Sequence, residues 1–283
     1  MLHLVRKLSA LMLLAWPLAA HAGLPTSSSV PGGVAVIPLG SAAGAGDRPR
    51  AWLEKQQVLV ASDHDEWYAV VGLPLDMATG PHTLRADIDG KMTQVAFAVA
   101  AKDYPEQHIT IKDKGKVDLA PRDLARALKE IAQIKALKLH WDAVPHTDLD
   151  FVEPVHGEPG SAFGLRRFFN GEARAPHAGM DVVVPRGTPV KAVAEGKVLA
   201  VGDYFFNGNT VFIDHGNGLI TMYCHLDRIE VRRGEAVAKG QEIARSGKTG
   251  RATGPHLHWS VVLNGAMVDP ALFLSASLAK RNP

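Results

Sequence analysis

Short strand-like runs, separated by turn signals, recur along most of this chain, and one stretch carries helical periodicity. The two runs on either side of Asp89-Gly90 alternate between apolar and polar residues, as expected for a strand, whose neighbouring residues point to opposite faces. The pattern therefore predicts a mainly β chain. In the first half the runs are residues 57–61, 66–72, 82–88, 92–100 and 108–112.

The first half is predicted to form a small domain. Asp89-Gly90 separates two alternating runs, which is a strong signal for a tight hairpin. Several short strands at this spacing, with no helical pattern between them, favour a small β-sandwich. We assign it residues 23–115.

A helical connector is predicted next, within residues 116–154. Pro121 suits a first helical turn, and four apolar residues recur at helical spacing, namely Leu124, Leu128, Ile131 and Ile134. Residues 139–160 are irregular and rich in proline, and we interpret them as a solvated linker. They also hold potential metal ligands, so a second hypothesis is that one of these keeps a metal site latent.

The remaining residues, 155–275, are predicted to form an antiparallel β-sheet domain. Asn217-Gly218 is a second hairpin signal, and glycine, proline and asparagine mark most joints between runs. The strand candidates are residues 181–184, 189–201, 209–214, 219–225, 235–244 and 256–263.

The first residues are typical of a secretory signal peptide, residues 1–22. Arg6 and Lys7 precede an apolar run, and Ala20-His21-Ala22 fits the cleavage pattern. The alternative is a membrane anchor, but the run is shorter than the roughly 20 residues of a spanning helix. We expect export to the periplasm or cell envelope, with no stable membrane span after cleavage.

Charge argues against nucleic acid as a partner. The chain carries 31 basic and 29 acidic side chains, and removing Arg6 and Lys7 leaves 31 − 2 = 29 of each. Nucleic-acid-binding proteins usually carry a basic surplus. Cys224 is the single cysteine, so these 283 residues form no internal disulfide. We interpret it as a small buried residue on the other face of its strand, with a nucleophile or metal ligand as the alternative.

Three clusters in the second half supply imidazole and carboxylate groups. They are His177-Ala-Gly-Met-Asp181, then His225 at the end of a β run, then His256-Leu257-His258. Residues i and i+2 of a strand share a face, so the last two histidines can line one cleft. His177 is expected in a loop and Asp181 at a strand start. Three such ligands suffice for a zinc ion that keeps one position open, which predicts a hydrolase.

In this order the clusters resemble the lysostaphin-like (LytM-type) zinc metallopeptidases, which cut peptidoglycan cross-links. The segments Ser161-Ala-Phe-Gly-Leu-Arg166 and Ile213-Asp-His-Gly-Asn-Gly218 are also similar to that family. So is the segment over residues 189–196. The resemblance covers roughly residues 155–273. The first β region resembles the immunoglobulin-like domain that precedes some members.

The resemblance implies a role for each clustered residue. His177, Asp181 and His258 match the ligands of one zinc ion per chain. His225 and His256 match the two catalytic histidines that do not bind the metal. The roles of Arg166 and Asn170 remain open between binding the substrate and supporting the structure.

The resemblance implies an exported zinc endopeptidase acting on peptidoglycan peptide stems, and we expect a monomer. One alternative is a non-catalytic LytM-type module that binds and activates other wall hydrolases. Another is an endopeptidase that acts on proteins or glycine-rich peptides.

Overall fold

The protein is described from a computed structural model that covers residues 23–43, 47–110 and 119–275. The predicted signal peptide, residues 1–22, lies outside the described residues. The prediction of a mainly β chain is confirmed. Within the described ranges, no helix is both long and apolar enough to cross a membrane.

The N-terminal region is a small β domain that curls into a nearly closed, barrel-like sheet. Its described strands follow one antiparallel path in the order β1-β4-β3-β2-β5-β6. The predicted hairpin is present, because Asp89 and Gly90 both adopt positive φ between the last two strands. The strands are β1 (Val34–Ser41), β2 (Arg50–Leu53), β3 (Gln56–Asp63), β4 (Glu66–Gly72), β5 (Gly80–Ile88) and β6 (Lys91–Val99).

The C-terminal region is a larger antiparallel sheet whose main path is β16-β13-β14-β15-β18-β11-β8. The predicted run over residues 189–201 is two strands rather than one. The elements are β8 (Glu158–Pro159), β9 (Arg166–Phe169), β10 (Glu172–Ala173), β11 (Met180–Val183), β12 (Pro189–Lys191), β13 (Gly196–Tyr204), β14 (Gly208–Asp214), β15 (Leu219–Ile229), β16 (Ala236–Val237), β17 (Glu242–Ser246), β18 (His256–Leu263), β19 (Ala266–Val268) and a 3-10 turn (Pro270–Phe273).

The two faces of this sheet bury different clusters. Trp259 and Tyr223 face the main core, whereas Met222 and Val262 face a smaller cluster on the opposite side. Side chains alternate along a strand, so His256 and His258 of β18 lie on the same face of the sheet as Val262 and the smaller cluster.

The connector contains the α-helix α1 (Pro121–Lys138), which begins at the predicted proline. Ile134 and Leu137 pack on the smaller cluster and so cover part of that face. Leu124, Leu128 and Ile131, three of the four apolar residues that predicted the helix, are exposed. Before the helix, β7 (Glu106–Ile109) pairs in parallel with β9.

The two β regions share packing. Val34, Leu59 and Val70 come from the N-terminal sheet but belong to the main core of the C-terminal region. Asn264 also bonds to the backbone of Gly72, accepting its N–H at 2.6 Å and donating to its carbonyl at 3.0 Å. The regions therefore form one packed body across this contact.

The prediction of a solvated linker over residues 139–160 is wrong. Leu149, Phe151 and Val155 are buried in the main core, so the segment packs along the C-terminal sheet. Its apolar residues are few and its prolines break any strand pattern, which hid this packing in the sequence. Among its potential ligands, His140 lies 3.2 Å from a carboxylate oxygen of Asp214.

Candidate metal centre

Asp181 and His258 are direct cross-strand partners on β11 and β18. Directly opposite residues of an antiparallel pair project to the same side, so both side chains face one cleft. His256 lies two residues along β18, while Leu257 between them is fully buried in the core. The predicted alternation of the H-x-H segment is confirmed, and so is the strand start at Asp181.

His177 completes this group from the loop before β11, as predicted. Its Nε2 atom lies 3.1 Å from Asp181 Oδ1 and 3.0 Å from His258 Nδ1. His258 Nδ1 is itself 2.9 Å from Asp181 Oδ1. Three potential ligand atoms therefore form a small triangle with every edge close to 3 Å.

The hydrogen bond on the far side of His177 tests whether this triangle suits a cation. His177 Nδ1 lies 2.8 Å from the carbonyl oxygen of Ala162, which only accepts hydrogen bonds. A neutral His177 thus carries its proton on Nδ1 and turns the Nε2 lone pair towards the Asp181 carboxylate. Facing lone pairs repel each other, and a metal ion between them removes the repulsion. The residues fit a metal.

The charge states agree with this fit. Burial raises the pKa of the Asp181 carboxyl, but His177 and His258, when they carry a proton towards it, outweigh burial and hold that pKa well below its usual range. Burial also lowers the pKa of His258. An ionised carboxylate and a neutral imidazole are the forms that bind metal.

His225 reaches the same cleft through a β-bulge. Tyr223 pairs with Val211 and Leu226 with Asn209, so Cys224 and His225 together oppose one residue. His225 adopts a φ of 60°, and its ring centroid lies 4.7 Å from that of His256. The sequence predicted that His225 ends a strand, which is wrong, because β15 continues to Ile229.

Backbone carbonyls orient both of the additional histidines. His225 Nδ1 lies 2.8 Å from the Thr249 carbonyl and His256 Nδ1 lies 2.9 Å from the Gly254 carbonyl. Each neutral ring therefore has its proton on Nδ1 and an accepting Nε2. His256 Nε2 is 3.7 Å from Asp181 Oδ1, and burial lowers the pKa of His225 to about 4.

Arg166 and Asn170 lie on the hairpin formed by β9 and β10. Arg166 makes a 2.8 Å ion pair with Glu106 of β7, and exposed Asn170 adopts a φ of 52° at the turn. The structure gives Arg166 a structural partner. A place for either residue beside the substrate stays a prediction.

Cys224 is buried as predicted, but it does not lie on the other face. It is the cross-strand partner of His258 and so projects to the same side. Burial raises the pKa of its thiol to about 12, which keeps it protonated. That state does not suit a nucleophile or a metal ligand.

Several supporting groups had no signal in the sequence. The carbonyls of Ala162, Thr249 and Gly254 orient imidazoles, and any residue type supplies a carbonyl. Gly179 is different: a Cβ there would lie 2.7 Å from His258 Cε1 and 2.5 Å from Ser260 Oγ. The glycine between His177 and Asp181 is therefore the sequence signal from which this close approach could have been predicted.

Comparisons with known proteins agree with the geometry. The model of Peptidase family M23 matches residues 175–270, and that of the Peptidase family M23 N-terminal domain matches residues 27–102. The crystal structure of a candidate peptidase M23 from Pseudomonas aeruginosa is 41% identical in sequence, with a TM-score of 0.73. The match covers 87% of this chain and 95% of that one.

Two curated relatives come from Vibrio cholerae. Peptidoglycan DD-endopeptidase ShyA is 45% identical over 95 residues, which is 34% of this chain and 22% of ShyA. Peptidoglycan DD-endopeptidase ShyB is 45% identical over 119 residues, which is 42% of this chain and 28% of ShyB. The chain thus matches less than a third of the length of either relative.

Proposed function

This chain belongs to peptidase family M23, and we propose that it is an exported zinc endopeptidase that hydrolyses peptide cross-links of peptidoglycan. The observation that carries the proposal is the triangle of His177, Asp181 and His258, with two more imidazoles beside it. Relatives named peptidoglycan DD-endopeptidases support the substrate class. The signal-peptide pattern of residues 1–22 supports export.

His177, Asp181 and His258 would hold the metal, and their nitrogen and oxygen donors suit zinc. When bound, zinc acidifies a coordinated water and polarises the scissile carbonyl. His225 and His256 both offer an accepting Nε2, so either can take the proton of the attacking water. The resulting imidazolium can then stabilise negative charge or protonate the leaving amine. Because both rings hold the same tautomer, that tautomer does not distinguish their roles.

The non-catalytic module is the second candidate function. Such a module would use the cleft only to bind its partner, and it would need neither a metal nor the two histidines that do not bind the metal. Here the four predicted histidines form a chain of ring contacts, with centroid distances of 4.7–6.0 Å between neighbouring rings, and Asp181 lies beside them. The arrangement therefore favours the enzyme.

Release of dye from labelled, purified peptidoglycan separates these candidates. We expect zinc-loaded protein to release dye, a chelator to stop release, and added zinc to restore it. His258→Ala is the matched control and should lose both zinc and activity. Binding without release by zinc-loaded wild type would favour the module, and a full equivalent of zinc in His258→Ala would remove His258 from the ligand set.

A further inference from the structure

Residues 162–165 make three hydrogen bonds with His177. The carbonyl of Ala162 accepts from His177 Nδ1 at 2.8 Å. Gly164 donates its N–H to the His177 carbonyl at 2.8 Å, and the His177 N–H donates to the Leu165 carbonyl at 3.0 Å. His177 itself lies in a loop. The position of its ring therefore depends on where residues 162–165 lie.

The ring of Tyr104 supports this segment from outside the C-terminal sheet. Gly164 has a φ of 81°, and a Cβ there would lie 2.0 Å from Tyr104 Cδ1. The ring thus packs directly on the Gly164 backbone. Tyr104 also meets Phe163 edge-on, with ring centroids 6.1 Å apart. Phe163 is buried, so this contact fixes the segment against a packed side chain.

Tyr104 is in turn anchored to the N-terminal region. Its hydroxyl donates to the Pro31 carbonyl at 2.7 Å. The next residue, Gly32, approaches so closely that a Cβ there would lie 2.6 Å from Phe163 Cε1. Burial raises the pKa of Tyr104 to about 12, so the hydroxyl remains a donor. A continuous packed path therefore runs from Pro31 through Tyr104 and Gly164 to His177.

We propose that Tyr104 is a positioning residue for His177, and that the N-terminal region sets the geometry of the metal centre through it. The proposal rests on the proposed function, since it takes His177 as a metal ligand. It goes further by assigning a task to a residue outside the peptidase sheet.

The surroundings of Tyr104 explain why its ring is needed. A cavity of about 190 Å³ is lined by Tyr104, Ala162, Phe163 and Asp181, among others. Removing the ring would enlarge this cavity and leave Gly164 without support on that side. The three hydrogen bonds to His177 would then shift with the segment. Residues that orient a ligand typically change metal affinity by about 10–100-fold when they are lost.

Zinc affinity of the whole chain, measured by chelator competition, tests the proposal together with kcat and KM. Tyr104→Ala removes the ring, Tyr104→Leu keeps apolar bulk, and Tyr104→Phe removes only the hydroxyl. Phe97→Ala is the matched control, because Phe97 is an aromatic residue packed on the core of the N-terminal sheet. Thermal unfolding is recorded for every variant.

We expect Tyr104→Ala to bind zinc about 10–100-fold more weakly and to lower kcat. Tyr104→Phe keeps the ring on Gly164 and loses the anchor to Pro31, so its zinc affinity should fall by less than that of Tyr104→Ala. Tyr104→Leu should lie between these two variants, and it serves if the alanine variant does not fold. Phe97→Ala should lower the unfolding temperature and leave zinc affinity unchanged.

Wild-type zinc affinity in Tyr104→Ala or Tyr104→Leu would overturn the proposal. So would an equal loss in Phe97→Ala, because the effect would then be general destabilisation. If the wild type itself bound no zinc, the proposed function would fail instead, and the two failures are thereby distinguished.

Discussion

At the scale of residues, His225 shows how the backbone overrides strand alternation. Simple alternation after Cys224 would turn His225 towards the main core, where Tyr223 and Leu226 lie. The bulge and the positive φ bring the ring to His256 instead. A non-glycine residue in this region of φ is uncommon, and such strain concentrates at functional sites.

We expect His225→Ala to keep its zinc and to lose activity by about 10²–10⁴-fold, the usual contribution of a proton-transfer residue. Its ring lies beside the ligand triangle rather than in it. Metal analysis and rate measurements on the same sample check this. Wild-type turnover would exclude His225 from the mechanism, and loss of zinc would place it among the ligands.

His215 gives a pH prediction away from the cleft. It is buried, with hydrogen bonds to the Glu195 carbonyl at 2.6 Å and to Thr221 Oγ1 at 2.8 Å. Burial lowers its pKa from 6.5 to about 4. As pH falls through this interval the unfolded chain takes up the proton first, so the free energy of unfolding falls.

The total loss from His215 is about 3 kcal/mol, at 1.36 kcal/mol per unit of pKa. His215→Gln should therefore show a shallower fall in the free energy of unfolding between pH 6.5 and 4. Urea unfolding at several pH values measures both proteins. Parallel curves would show that His215 does not titrate in this way.

At the scale of elements, the loop before β11 and the strand β18 touch at Gly179. A Cβ at this position would lie 2.6 Å from the Trp259 carbonyl oxygen and 2.7 Å from His258 Cε1, so any side chain would collide with both. We expect Gly179→Ala to displace His258 and weaken zinc binding by at least tenfold, a typical effect of disturbing a ligand's surroundings. Calorimetric zinc titration checks this, and unchanged affinity would contradict it.

Local patterns predicted the elements that carry the ligands, because strand alternation alone places His256 and His258 on one face. They did not predict the pairing of β7 with β9, which joins residues far apart in sequence. They also missed the bulge at His225, since no residue there favours positive φ. The burial of Leu149, Phe151 and Val155 within residues 139–160 stayed hidden because the apolar residues of that segment are sparse.

At the scale of the whole molecule, Asn264 connects the two β regions. Its side chain satisfies both backbone groups of Gly72, and the pair is buried. Asn264→Gly suits its positive φ and removes only the side chain. Leaving two buried polar groups unpaired should lower the free energy of unfolding by about 2–4 kcal/mol.

Urea unfolding of Asn264→Gly and Asn264→Asp tests this contact. The aspartate keeps the acceptor but buries a charge and sets an oxygen against the Gly72 carbonyl, so Asn264→Asp should be destabilised at least as much as the glycine variant. Equal stability of all three proteins would show that the contact does not hold the regions together.

The proposed zinc endopeptidase is tested most directly by mass spectrometry of purified, cross-linked muropeptide dimers. We expect zinc-loaded wild-type protein to convert these dimers to monomers by cutting the peptide cross-link. Zinc-loaded His225→Ala and chelator-treated wild type should leave them intact. Intact dimers after incubation with zinc-loaded wild type, or cleavage by the metal-free protein, would contradict the account.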